Sequence, residues 1–286
     1  MNKTAIVVCG NSGIDYLGEF KDVFVLRSIL NLGDKEYEDF IDIKAEEFYD
    51  IIAKDPDINL STSQTPVGKI REMFENIKNL GYKSIICITI SSKLSGTVNA
   101  MRLAGTMVED IDVYTIDSKF VSYVEVWMVL EAKRLLESGM DASLVASEIS
   151  LIPERCRVYV CVDTLKFLVK NGRLNGVAGF LGSFLKLKPL LEFDNDGALV
   201  TKEKIRTLPK AKARTMEILL SEIKGKNIIL IGVYTNNKEE VNALLEQVKA
   251  NANDCNLVDV VLCPLTPVVG AHAGPGTFAL GYIEIK

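Results

Sequence analysis

The stretch SIICITISSKLSGT, residues 84–97, joins two chemically different halves. Seven mostly apolar residues without glycine or proline come first, and then three serines and a threonine surround Lys93, Leu94 and Gly96. A short, continuous run rich in isoleucine reads as a strand buried on both faces. The apolar residues that follow, Ala100, Leu103, Ala104 and Met107, recur at helical spacing and predict a helix directly after the hydroxyl loop. This βα unit repeats on either side. TAIVVCG (4–10) and DVYTID (112–117) read as strands. PVGKIREMFENIKNLG (66–81) predicts a helix with Pro66 at its first position and with Ile70, Met73, Phe74 and Ile77 on one stripe. VEVWMVLEAKRLLESG (124–139) predicts a helix apolar on most sides in its first two turns, hence buried. Strands alternating with helices imply a parallel sheet.

After about residue 155 the texture changes. CRVYVCVD (156–163) reads as a strand, and a basic, glycine-punctuated segment leads into GVAGFLGSFLKL (176–187), where Val177, Phe180, Leu181, Phe184 and Leu185 repeat at helical spacing. KPLLEFDNDGALVTKEKIR (188–206) predicts a hairpin turning at DNDG. Helices over 209–224 and 238–250 alternate with the strand-like runs NIILIGVYT and VDVVLCPL. The chain therefore divides into 1–155 and 156–286, both of the α/β class, the second with a mixed or antiparallel sheet.

Composition narrows the function. Net charge is −5 over 286 residues, which argues against general nucleic-acid affinity. The charge is uneven: residues 166–214 hold eleven basic side chains against four acidic ones, an excess of seven that leaves the remainder at −12. Such a face is either solvated or docks an acidic partner or phosphorylated ligand. Six cysteines lie mostly in apolar runs without CxxC spacing, and with a single histidine they predict reduced, buried thiols and no metal site. No apolar run is long enough to span a bilayer, and Met1–Lys3 lead directly into TAIVVCG without a secretory signal, so the expectation is a cytoplasmic protein without stable membrane insertion.

Three stretches carry candidate chemistry. In STSQTPVG (61–68), helix capping explains one or two hydroxyls but not Ser61, Thr62, Ser63 and Thr65 together. ISSKLSGT (90–97) lies at the C-terminal end of a parallel strand, where ligands of open α/β sheets collect and where hydroxyls and helix N–H groups hold anions. GAHAGPG (270–276) contains the only histidine, His272. It lacks the following helix that a dinucleotide loop needs, and its small residues let backbone approach a ligand closely.

Together these stretches resemble the DegV family, which includes the fatty-acid-binding subunits of bacterial fatty-acid kinases. TSQ with its following proline and glycine (62–68), ISSxLSGT (90–97), IDSK (116–119), NGR (171–173) with LGSFLKLKPLL (181–191), and GAHAGPG (270–276) occur in the family's order. The resemblance covers a single unit over 3–284. It implies an N-terminal Rossmann-like α/β/α domain and a C-terminal α/β domain with a long-chain fatty acid in a tunnel between them. It implies no cofactor and no catalysis by this chain: a separate kinase subunit with its own ATP site phosphorylates the carboxyl to acyl phosphate for phospholipid synthesis. By resemblance Thr62, Ser95 and His272 hold the carboxylate, Ser63, Ser92, Gly96, Arg173, Gly270 and Ala271 support that polar end, and Arg206 contacts the kinase.

The sequence also departs from the family. Asn11 stands where an aspartate is usual, Lys93 replaces a glycine, and Val124, Val126 and Trp127 occupy a glycine-rich helix start. If that helix lines the tunnel, these larger side chains shorten or bend it. A competing reading is a serine-dependent acyl hydrolase or transferase using Ser95, His272 and Asp15 or Asp117, although KLSGT lacks the GxSxG elbow. An autonomous kinase or oxidoreductase lacks its phosphate-loop fingerprint here.

Overall fold

The computed structural model of the chain describes residues 3–18, 20, 22–173 and 187–285. Its first half is built on a four-stranded parallel sheet of order β2-β1-β6-β7, from β1 (Thr4–Cys9), β2 (Val23–Leu26), β6 (Ser84–Thr89) and β7 (Asp112–Asp117). Its second half is built on a six-stranded mixed sheet of order β10-β9-β8-β13-β11-β12, from β8 (Cys156–Cys161), β9 (Leu190–Phe193), β10 (Leu199–Glu203), β11 (Asn227–Tyr234), β12 (Asn256–Pro264) and β13 (Phe278–Glu284). Only β11 and β12 run parallel there; the other pairs are antiparallel, and β9–β10 is the hairpin expected at DNDG.

Both sheets have two apolar faces, which is why their strands read as unbroken apolar runs rather than as alternating ones. In β1, Ala5, Val7 and Cys9 pack outward with α2 (Val67–Asn79) and α3 (Thr97–Gly105), while Ile6 and Val8 face the opposite way. In β11, Ile228 and Leu230 join α7 (Leu208–Glu222) and α8 (Lys238–Asn251), while Ile229, Ile231 and Val233 face inward. One core joins the two inner faces. It holds α4 (Tyr123–Glu137) and α5 (Ala142–Ile149), the layer between the sheets. That position explains why Val124, Val126, Met128, Val129 and Ala132 of α4 are all buried, as its all-round apolar start predicts.

A third sheet, three-stranded and antiparallel, was not legible in the sequence. It has order β4-β3-β5, from β3 (Ile29–Leu32), β4 (Lys35–Glu38) and β5 (Leu60–Ser63), and packs on α1 (Ala45–Lys54) and α9 (Pro267–Ala273). Three expectations are corrected here. STSQTPVG is not a capping loop, because its first three residues form β5, paired residue by residue with β3, and Pro66 is the N-cap of α2, with no side chain capping that helix. The buried face of α3 is Val98, Ala100, Met101 and Ala104, whereas Leu103 and Met107 are 49% and 46% exposed, because the helix turns its small residues to the sheet. GAHAGPG is not all loop, since α9 carries Val268 through Ala273. The helical repeat expected over 176–187 lies outside the described residues except for Leu187.

Candidate ligand-binding site

A cavity of about 320 Å³ opens where the C-terminal ends of the parallel strands meet α9 and the inner face of the mixed sheet. Val158, Val160, Phe193, Leu199, Val233 and Ala279 of the mixed sheet supply apolar wall, opposite Ile90, Leu94 and Val121 of the first half. The volume and the mostly apolar wall with a few convergent polar groups fit a small-molecule site. At one end the hydroxyl of Thr62, on edge strand β5, lies 2.8 Å from His272 Nε2 in the last turn of α9. Two stretches 210 residues apart thus share a hydrogen bond. Ser63, Gln64, Ser95, Gly96, Thr97 and Arg173 line the cavity as well.

His272 is neutral at physiological pH. Burial, followed by the positive charge of Arg173, lowers its pKa from 6.5 to about 4. Its Nδ1 is enclosed and has no partner among the described residues. Arg173 is held by the backbone on both sides, with Nε donating to the Leu94 carbonyl at 3.3 Å and Nη1 to the Asn171 carbonyl at 2.7 Å. The Asn171 amide in turn donates to the Ala271 carbonyl at 2.9 Å. The NGR turn therefore ties the 94–97 loop to α9, and it presents a fixed cation beside a neutral imidazole and several hydroxyls. That set suits one end of an anionic head group: donors from hydroxyls and guanidinium, with no carboxylate among the lining residues.

The other expected residues fall into place unevenly. Ser92 is exposed; it does not line the cavity, and its backbone N–H donates to the Asp117 carboxylate at 3.2 Å. The neighbouring Ser91 is fully buried instead and donates to the Gly197 carbonyl at 2.7 Å, pinning the β9–β10 turn to the first half. Gly270 and Ala271 do not line the cavity either. A Cβ at Gly270 would collide with the Tyr49 hydroxyl, and one at Gly274 with the Phe167 ring, so these glycines make room for aromatic side chains rather than for a ligand. Val124, Val126 and Trp127 are absent from the wall, since α4 turns them into the core between the sheets. Arg206 is exposed in the loop between β10 and α7. Much of the basic excess around it is paired within the chain: Lys166 with Asp57, Lys188 with Asp163, Lys202 with Glu192, Lys212 with Glu240 and Arg214 with Glu203.

The arrangement lacks the contacts of a serine triad. Ser95 Oγ lies 2.8 Å from Thr97 Oγ1, and His272 is bonded to Thr62. Asp15 is engaged bidentately by Arg27, and Asp117 accepts from the Ser92 and Lys119 backbone. Neither a nucleophile–base bond nor a base–acid bond is present among the described residues. Sequence reasoning gave Gln64 of the TSQ motif no role and missed Ser122, Leu168 and the β9–β10 wall, which carry no local site motif.

Two α/β halves flank an apolar cavity with one polar end, an enclosure shaped like a small-molecule site. Comparison with known proteins gives this architecture a family. Residues 3–284 match the family model described as "Uncharacterised protein, DegV family", and the chain belongs to that family. It is 31% identical to a DegV domain-containing protein of Halalkalibacterium halodurans, covering 99% of this chain and 100% of that one. Among solved structures it superposes with a TM-score of 0.88 on DegV, a fatty acid binding protein from Bacillus subtilis (28% identity, 100% of both chains). It also superposes with a TM-score of 0.87 on a stearic acid-binding protein from Eubacterium ventriosum (25% identity, 99% of this chain and 98% of that one). Among the described residues no helix is long and apolar enough to cross a membrane.

Proposed function

We propose that the protein binds a long-chain fatty acid in the cavity and presents its carboxyl group to a separate kinase subunit that brings its own ATP site. The observation that carries this is the Thr62–His272 pair, with Ser95 and Arg173 nearby, at the polar end of an otherwise largely apolar enclosure. The family relatives that bind fatty acids support it. Each buried methylene contributes about 0.8 kcal/mol, so a tail of roughly fifteen carbons supplies on the order of 12 kcal/mol before ordering costs. The polar end then fixes which way the acid points. In the transfer, a carboxylate oxygen attacks the γ-phosphorus of ATP, the bond to the β-phosphate oxygen breaks, and acyl phosphate and ADP result. Thr62, Ser95 and His272 orient the carboxyl in this scheme, Arg206 contacts the kinase, and the two lobes, divided near residue 155, form the halves of the tunnel.

Mass spectrometry of a solvent extract of natively purified protein tests the binding step, with stoichiometric fatty acid as the expected result. The absence of lipid, together with no binding of added acids of any chain length, would refute it. Incubation of the loaded protein with a bacterial fatty-acid kinase subunit and ATP tests the second step. Acyl phosphate trapped as a hydroxamate is expected, and Arg206→Glu is expected to lower its yield while leaving fatty-acid binding unchanged.

A further inference from the structure

The cavity wall carries polar groups that the Thr62–His272 end does not use. Asn11 and Ser122 both line it, and both are buried, at 5% and 4% exposure. Asn11 sits in the 3-10 turn Gly10–Ser12 after β1, and Ser122 is the N-cap residue of α4, held at a left-handed φ of 68°. Beside them stands Glu125, with no exposed surface. Its Oε1 accepts from Asn11 Nδ2 at 2.5 Å, and the Ser122 backbone N–H also faces the carboxyl. Its Oε2 is enclosed without a partner among the described residues. No cation lies among the groups acting on it, and burial raises its pKa well above the ordinary carboxylate range, so Glu125 is a neutral acid.

In the structure the Asn11 carboxamide turns its Nδ2 to that acid. With Nδ2 committed to Glu125, Oδ1 is left without a donor among the described residues. The Ser122 hydroxyl has only Cys263 Sγ, at 3.9 Å, a weak partner. The wall therefore offers an acceptor on Asn11 and a hydroxyl on Ser122 within a largely apolar enclosure. A plain alkyl chain passing them leaves both unpaired, which buried polar groups tolerate poorly. A hydroxyl on the chain answers both, donating to Asn11 Oδ1 while accepting from Ser122; a keto oxygen answers only Ser122.

We infer that the preferred ligand is a long-chain fatty acid bearing a hydroxyl on its acyl chain. Asn11 and Ser122 read the hydroxyl, and Glu125 is the positioning residue behind Asn11. This rests on the fatty-acid reading above. The test titrates lipid-free protein with hexadecanoic acid and with its monohydroxy isomers, one position at a time. One isomer, or two adjacent ones, is expected to bind about tenfold tighter than hexadecanoic acid, equivalent to about 1.4 kcal/mol. Asn11→Leu is expected to erase that preference while still holding hexadecanoic acid. Glu125→Leu, which takes away the partner of Asn11 Nδ2, is expected to weaken the preference while hexadecanoic acid still binds. If hexadecanoic acid binds but every hydroxy isomer binds no better, the inference is overturned and the fatty-acid function stands. Retention of the preference in Asn11→Leu overturns it equally. If no acid binds, both fall together.

Discussion

His272, half-buried on the cavity wall, and Glu125, fully buried behind it, are both titratable and both uncharged near neutrality, yet they reach that state from opposite sides. Burial strips the proton from His272 and retains it on Glu125. At the His272 end a fixed guanidinium and hydroxyls await an incoming charge, and the imidazole stays neutral beside them. At the Glu125 end no cation stands by, and the acid serves only to aim a carboxamide. A low-dielectric cavity tolerates polar groups at both places, but it is equipped for a charge at one of them.

The largest expected effect that can break this comparison is the pH dependence of stability. The folded protein takes up the His272 proton only near pH 4, whereas the unfolded chain takes it up near 6.5. Stability is therefore lost as pH falls from 6.5 to 4, by about 3 kcal/mol relative to His272→Gln in denaturant melts. Glu125 slopes the other way, because the folded state keeps a proton that the unfolded chain releases above about 4.5, so stability declines as pH rises past that point. Glu125→Gln is expected to flatten that decline. Slopes of the same sign for both groups would end the contrast.

A second, smaller effect concerns what each group supports. Glu125→Leu leaves the Asn11 amide buried and unpaired and is expected to cost about 1–3 kcal/mol of stability, largely restored in the double variant with Asn11→Leu. Additive single and double effects would show that the pair is not coupled. At the other end Thr62→Val removes one hydroxyl and the imidazole's only partner among the described residues. A loss of about 1 kcal/mol in fatty-acid affinity, roughly fivefold, is expected by calorimetry with little change in melting. The smallest effect belongs to Ser92→Ala. This exposed side chain lies off the cavity, and affinity should stay within about twofold, inside the usual range of surface substitutions; a larger loss would return Ser92 to the polar end.

Most strands of the two large sheets were legible because burial on two faces forces an unbroken apolar run, and the DNDG turn announces its own hairpin; the half-buried edge strand β2 was not read. The small sheet was not. Its strand β4, KEYE, is mostly exposed and charged, and β5 hides its pairing inside a run of hydroxyls. The site was legible in its motifs but not in their division of labour. Ser91 and Ser92 are adjacent and identical in type, yet one is buried as a latch to Gly197 and the other faces solvent.

The order of residues alone dictates the alternation of buried strands and amphipathic helices, the burial of α4, and the set of hydroxyls, arginine and histidine from which an anion end can be made. Local side-chain chemistry and periodicity suffice for these. Only the tertiary structure decided that Gly270 yields to Tyr49 and not to a ligand, and that Thr62 meets His272. It also decided that the lone glutamate in an apolar helix start answers an asparagine 114 residues earlier. Each of these depends on which distant atoms share a dry space, and hydrogen-bond demand and steric room are set there by contact, not by order along the chain.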